Sequence, residues 1–76
     1  MKKAIEKLEK YLERLFNGEK IKGFNLSPME IYLLRDIYNE IVESRMSTFI
    51  NENIKDVLQT CGFHISYCGV GWKVVL

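Results

Sequence analysis

Apolar residues return every three or four positions along the first sixteen residues. Ile5, Leu8, Leu12 and Leu15 form the stripe, joined by Tyr11 and Phe16, while Lys3, Glu6, Lys7, Glu9, Lys10, Glu13 and Arg14 fill the remaining surface. This spacing predicts an amphipathic helix over about residues 2–16, with Glu6 and Lys10 placed for an i,i+4 pair. Asn17-Gly18 supplies the stop, because glycine adopts the left-handed conformation that follows a helix end. Residues 19–26 read as a connector holding at most a short strand at Lys20–Phe24. The next start signal is explicit. Ser27 is placed as an N-cap, Pro28 suits the first helical position, Glu30 completes a capping box, and Leu26 with Ile31 forms a hydrophobic staple.

The helix that begins at Pro28 is predicted to run to about Arg45, with Ile31, Leu34, Ile37, Tyr38, Ile41 and Val42 as its apolar stripe. Met29, Tyr32 and Leu33 widen that stripe, which implies a central helix contacted on more than one side. Arg35, Asp36, Asn39, Glu40 and Glu43 remain for its exposed face. A third helix follows, with Ser47 or Thr48 as its cap and Asn51 as a later alternative. Its apolar positions are Ile50, Ile54, Val57, Leu58 and Cys61, and Gly62 ends it.

The period then changes from 3.6 to 2. Phe63, Ile65 and Tyr67 alternate with His64, Ser66 and Cys68; after Gly69-Val70-Gly71, Trp72, Val74 and Leu76 alternate with Lys73 and Val75. Alternation on both sides of a glycine-bounded turn predicts a hairpin. Phe63, Ile65, Tyr67, Trp72, Val74 and Leu76 are expected to face the helices, and His64, Ser66, Cys68, Lys73 and Val75 the open side. If the last strand reaches Leu76, truncation there damages the core.

Composition narrows the function classes. Seventy-six residues with 47% hydrophobic content read as a single domain, residues 1–76, large enough for a core but leaving little margin. A net charge of +1 gives no global electrostatic footprint for nucleic acid or anionic membrane. Two cysteines are too few for a disulfide scaffold, and the charged start MKKAIEKLEKYLERLF resembles neither a membrane span nor a signal peptide, so a cytoplasmic setting is expected. The only histidine, His64, stands four strand residues from Cys68, about 13 Å at extended spacing. Zinc ligands must converge within about 2.3 Å of one ion, and a Cys–His nucleophile pair within about 3.2 Å. No metal, cofactor or catalytic residue is therefore expected.

Helix, short strand, helix, helix and hairpin, in that order, resembles the winged helix-turn-helix plan, and LSPMEIYLLRDI (residues 26–37) is similar to the scaffold helix of such regulators. The resemblance implies duplex DNA as a ligand, with NENIKDVLQTCG as the recognition helix and Lys73 and His64 on the wing. Asn51, Asn53 and Gln59 would then face base edges. The second helix is long for that plan and leaves no clear tight turn before the third. The recognition helix also sets one lysine against Glu52 and Asp56, whereas phosphate contacts require a basic surface. A second resemblance is carried by Gly62-Phe63 and Gly69-Val70-Gly71-Trp72-Lys73-Val74 after a terminal helix. It is similar to the ends of short Lys/Glu/Ile-rich accessory proteins of phages and mobile elements in low-GC bacteria. That resemblance implies a protein that binds a host protein, a group to which inhibitors of host defence such as anti-CRISPR proteins belong.

The expectation is an α+β fold, three helices followed by a C-terminal antiparallel β-hairpin in a winged-helix-like order, and a non-enzymatic module that acts by occluding a host protein. Its contact residues would be Tyr32, Arg35, Asn39 and Glu43 on the second helix and His64, Ser66 and Lys73 on the open hairpin face. An exposed last strand would alternatively pair two copies into a homodimer. A DNA-binding regulator is the alternative, and no membrane contact is expected.

Overall fold

A computed structural model describes residues 2–76 as three helices and a hairpin: α1 (Lys2–Phe16), α2 (Pro28–Val42), α3 (Glu52–Cys61), β1 (Ile65–Tyr67) and β2 (Trp72–Val74). The class is α+β, with the two-stranded antiparallel sheet at the C-terminal end. Helix α1 packs on both α2 and α3, and the hairpin packs on α3. Leu8, Leu34, Ile37, Ile54, Val57 and Leu58 are the most deeply buried side chains, and the buried residues form one cluster.

Local chemistry sets the helix limits. The Ser27–Glu30 capping box is formed in both directions: the Glu30 N–H donates to Ser27 Oγ at 3.3 Å, and the Ser27 N–H donates to Glu30 Oε1 at 2.8 Å. All three helices end in the same paired bonds, in which a left-handed residue and its successor donate back into the last turn. Gly18 and Glu19 do this for α1, and Gly62 and Phe63 for α3. For α2 the left-handed residue is Ser44, with φ of 57°, and Arg45 makes the second bond, to the Glu40 carbonyl. This ends α2 at Val42, three residues before the expected limit at Arg45, and it leaves Val42 exposed rather than in the apolar stripe.

The connector from α2 to α3 also departs from expectation. Glu40, expected on the exposed face, is half-buried, and its carboxylate accepts from the N–H and hydroxyl groups of both Ser47 and Thr48. Burial of this carboxyl opposes its ionisation and is the largest single influence. The bonds from Thr48 and Ser47 together outweigh it and hold the pKa below the usual carboxylate range. With both hydroxyl residues engaged by Glu40, neither caps a helix. Asn51 does so instead, its Oδ1 accepting the Ile54 N–H at 2.9 Å. Ile50 therefore precedes α3; its N–H donates to the Trp72 carbonyl at 2.9 Å in an isolated antiparallel bridge.

That bridge adjoins the sheet. β1 pairs with β2 in the register Ile65↔Val74, Ser66↔Lys73 and Tyr67↔Trp72, and Ile50 bridges to Trp72 of β2. The bridge engages the last strand only at Trp72, and the sheet itself remains two-stranded. No strand forms at Lys20–Phe24. That connector is fixed by side chains instead: Tyr11 and Phe24 meet edge to face at 4.9 Å, and Arg14 makes a two-point ion pair with Glu19. The strand-like segment preceding the hairpin thus lies between α2 and α3, where the winged-helix order places it between the first two helices. Glu6 and Lys10 are not joined; the ion pair that α1 contributes among the described residues is Arg14–Glu19, at 2.7 Å.

The inward face of the hairpin is buried only near the helices. Phe63 and Val74 are in the core and Ile65 and Trp72 are half-buried, whereas Tyr67 and Leu76 are exposed. Tyr67 lies beyond the helical layer and packs edge to face on Trp72, with ring centroids 5.0 Å apart. β2 ends at Val74, so Leu76 is not part of the core layer.

Candidate functional site

The side chains with interface chemistry gather where α1 ends and α2 begins. Helical spacing puts Tyr32, Arg35 and Asn39 on one ridge of α2, with Glu43 at its C-cap, and all four are exposed. The upper half of this ridge is organised by aromatic contact across the two helices. Phe16, at the last position of α1, meets Tyr32 edge to face with centroids 5.4 Å apart. The Arg35 guanidinium lies over both rings, 5.3 Å from the Phe16 centroid and 5.2 Å from that of Tyr32. Side chains on a helix lean toward its N-terminus, which is why Arg35 reaches back to residues one turn earlier.

The same face carries exposed apolar surface. Phe16 is 41% exposed, Tyr32 53% and Met29 80%. Met29, expected to widen the apolar stripe, is instead turned away from α1, beside Leu33 and Asp36. Glu43 at the lower end pairs with Arg45 at 2.7 Å, both groups largely in solvent, a pair of small energetic weight.

The hairpin candidates form a separate group. Ser66 and Lys73 are cross-strand partners and therefore share a face, with His64 two residues from Ser66 on the same side. His64 and Ser66 are exposed, but Lys73 is half-buried because Phe49 covers this face, with the Lys73 ammonium 4.7 Å from the Phe49 ring centroid. The open face is thus narrower than alternation alone implies. The structure joins Tyr32 with Arg35, and Ser66 with Lys73, but brings no member of one group against the other.

Lys55, the lone cation of α3, does not project into solvent as a phosphate contact would. Its ammonium stands 4.6 Å from the Trp72 ring centroid and 3.4 Å from Asp56 Oδ1, and its side chain is 15% exposed. Cys61 is buried at the end of α3, and that burial pushes its thiol up to about 11; Cys68 is exposed, and both thiols are free. Among the described residues, no three His, Cys, Asp or Glu side chains converge as a metal site, and no helix is long and apolar enough to cross a membrane.

Phe16 and Met29 are contact-capable residues that sequence reasoning placed with the apolar stripes, and Phe49 is one that it did not place. For Phe16 a signal exists: it falls a step off the Leu8–Leu12–Leu15 stripe, at the edge of the buried face. For Phe49, which acts from a connector, the pattern carries none. Comparison with protein families, with curated proteins and with solved structures returns no match to this chain.

Proposed function

We propose that this chain is a non-enzymatic protein-binding module that acts by covering a surface of its partner. The observation that carries this reading is the continuous exposed face of Phe16, Met29, Tyr32 and Arg35 at the α1–α2 junction. Aromatic, Met and Arg side chains are enriched at interfaces, and truncation of Tyr, Trp or Arg there accounts for most large binding losses. The similarity of the terminal segment to phage and mobile-element accessory proteins suggests a cytoplasmic host protein as the partner, an inhibitor of host defence such as an anti-CRISPR protein being one such role. Tyr32, Arg35 and Asn39 are its contact residues, with His64, Ser66 and Lys73 as a second, smaller patch.

DNA binding is the weaker reading, because Lys55 is spent on Trp72 and Lys73 on Phe49, which leaves α3 and the hairpin without a free cationic track. Affinity capture from host lysate with the native chain and with Tyr32→Ala tests the proposal: a partner retained by the first and lost by the second is expected. If no protein is retained while duplex DNA binds with a steep salt dependence, the DNA reading replaces it.

A further inference from the structure

Arg35 is held in place yet has no ionic partner. Its guanidinium rests against the Phe16 and Tyr32 rings, and among the described residues no carboxylate lies within ion-pair distance of it. Glu9 and Glu13 line the hollow on the α1 side of Arg35, and Asp36 neighbours Tyr32 on the opposite side, yet none of them closes on the guanidinium. The guanidinium N–H donors that point away from the two rings are free for a carboxylate. Immobilising an arginine normally costs side-chain entropy at the moment of binding; here the two rings have already restricted it.

Beside the two rings lies an apolar hollow of about 300 Å³, lined by Leu15, Phe16, Gly18, Pro28, Ile31 and Tyr32. No carboxylate is among the residues that line it. The N-terminus of α2 opens at Pro28, with the partial positive charge of a helix start, and Lys20 lines the adjoining hollow, which shares Leu15, Gly18, Pro28 and Ile31. Glu19, in the same place, is already neutralised by Arg14. Glu30, on the first turn of α2, has its carboxylate engaged by Ser27, Asn51 and Asn53.

We infer that this face docks an acidic segment of the partner protein, its carboxylate on the edge of Arg35 and a neighbouring apolar side chain in the hollow between Phe16, Pro28 and Tyr32. The inference rests on the protein-binding reading above and adds the chemistry of the partner. It assigns Arg35 the specificity and Tyr32 the apolar contact.

The test is selection of a random dodecapeptide display library on the intact chain, followed by anisotropy titration of the enriched peptides at low and high salt. The expected result is enrichment of sequences that carry Asp or Glu within a few residues of a large apolar side chain. Binding should fall at least about tenfold in Arg35→Gln, recover only in part in Arg35→Lys, and weaken with salt. Arg35 is exposed, so Arg35→Gln should still fold and unfold cooperatively in urea, which separates lost binding from lost folding. Enriched peptides that lack an acidic residue, or that bind Arg35→Gln unchanged while failing on Tyr32→Ala, overturn the carboxylate inference and leave the docking face standing. Peptides indifferent to both substitutions, or no enrichment above an unrelated protein of similar size, overturn both.

Discussion

Asn51 Nδ2 donates to Glu30 Oε2 at 2.8 Å, so the residue that caps α3 is bound to the residue that closes the capping box of α2. The two helix starts are thereby coupled. Glu30 Oε1 takes the Ser27 N–H, Oε2 takes Asn51 and, at 3.3 Å, Asn53, while Asn51 Oδ1 serves the Ile54 N–H. The bond from the Ser27 backbone is the main reason that the Glu30 pKa lies below the usual carboxylate range.

Substitution at residue 51 separates capping from coupling. Asn51→Asp keeps an oxygen for the Ile54 N–H and is an equally good cap, but it removes the donor and faces Glu30 with a second carboxylate. At neutral pH it should cost about 1–2 kcal/mol, a fall in melting temperature of roughly 4–16 °C for a chain this size. Unfolding by urea reads this out. A variant as stable as the native chain would mean that the cap is all that Asn51 contributes.

The helices were legible because their ends are written in nearby residues: Ser27-Pro28-Met29-Glu30 holds a complete start signal, and Gly18 and Gly62 hold complete stops. The α2–α3 connector was not. Ser47 and Thr48 are sound caps by local chemistry, but Glu40, in the last turn of α2, takes their donors first, and that competition exists only once the chain folds back. Period-two alternation likewise assigned Tyr67 and Leu76 a side of the sheet without saying how far the helical layer extends beneath it. The Tyr32–Arg35–Asn39 ridge followed from spacing along one helix. Its partner Phe16 comes from another helix, so the stacked guanidinium lay beyond any local pattern.

Ser44 offers a stabilising substitution. It closes α2 at φ of 57°, a conformation that costs an L-residue with a Cβ about 1 kcal/mol and glycine almost nothing. Glycine loses more freedom on folding, so the net gain in Ser44→Gly should be roughly 0.5 kcal/mol, a rise of a few degrees by calorimetry. A lower melting temperature would show that Ser44 contributes through its side chain.

At Gly71 the constraint is space rather than backbone angle. A Cβ there would stand 3.1 Å from Phe49 Cδ1 and 3.2 Å from Phe49 Cβ, and Phe49 is held on this face beside Lys73. Gly71→Ala should cost about 1–2 kcal/mol through that overlap. In a double-mutant cycle Phe49→Ala should absorb most of the cost, giving a coupling of about 1 kcal/mol. Additive effects would place the penalty in the backbone instead.

The two thiols should differ in reactivity by more than about a hundredfold, because the thiolate is the nucleophile and burial suppresses it at Cys61. Iodoacetamide at pH 8 followed by mass spectrometry should place the first alkyl group on Cys68, and Cys68→Ser should leave stability unchanged. Cys61→Ser places a hydroxyl in the core and should cost about 1–3 kcal/mol. Fast labelling at Cys61 would mean that the end of α3 opens far more readily than its packing implies.

Acid stability tests the carboxylate bonds. Glu30 and Glu40 both have folded pKa values below the ordinary value of 4.5, and Glu19 is shifted the same way by its bond to Arg14. A lowered carboxylate binds its proton more readily in the unfolded chain. The stability it contributes is therefore complete above the unfolded value and is lost as pH falls through the folded one. Urea midpoints should hold steady from about pH 7 to pH 5.5 and decline as pH drops through 4.5 and below. Glu40→Gln retains one acceptor oxygen but no charge, so at pH 7 it should be less stable by about 1–2 kcal/mol, with a shallower acid limb. The two curves should converge as pH falls through the folded pKa of Glu40, which lies below the ordinary value. If they run parallel throughout the acid limb, the Ser47 and Thr48 bonds carry no charge-dependent energy.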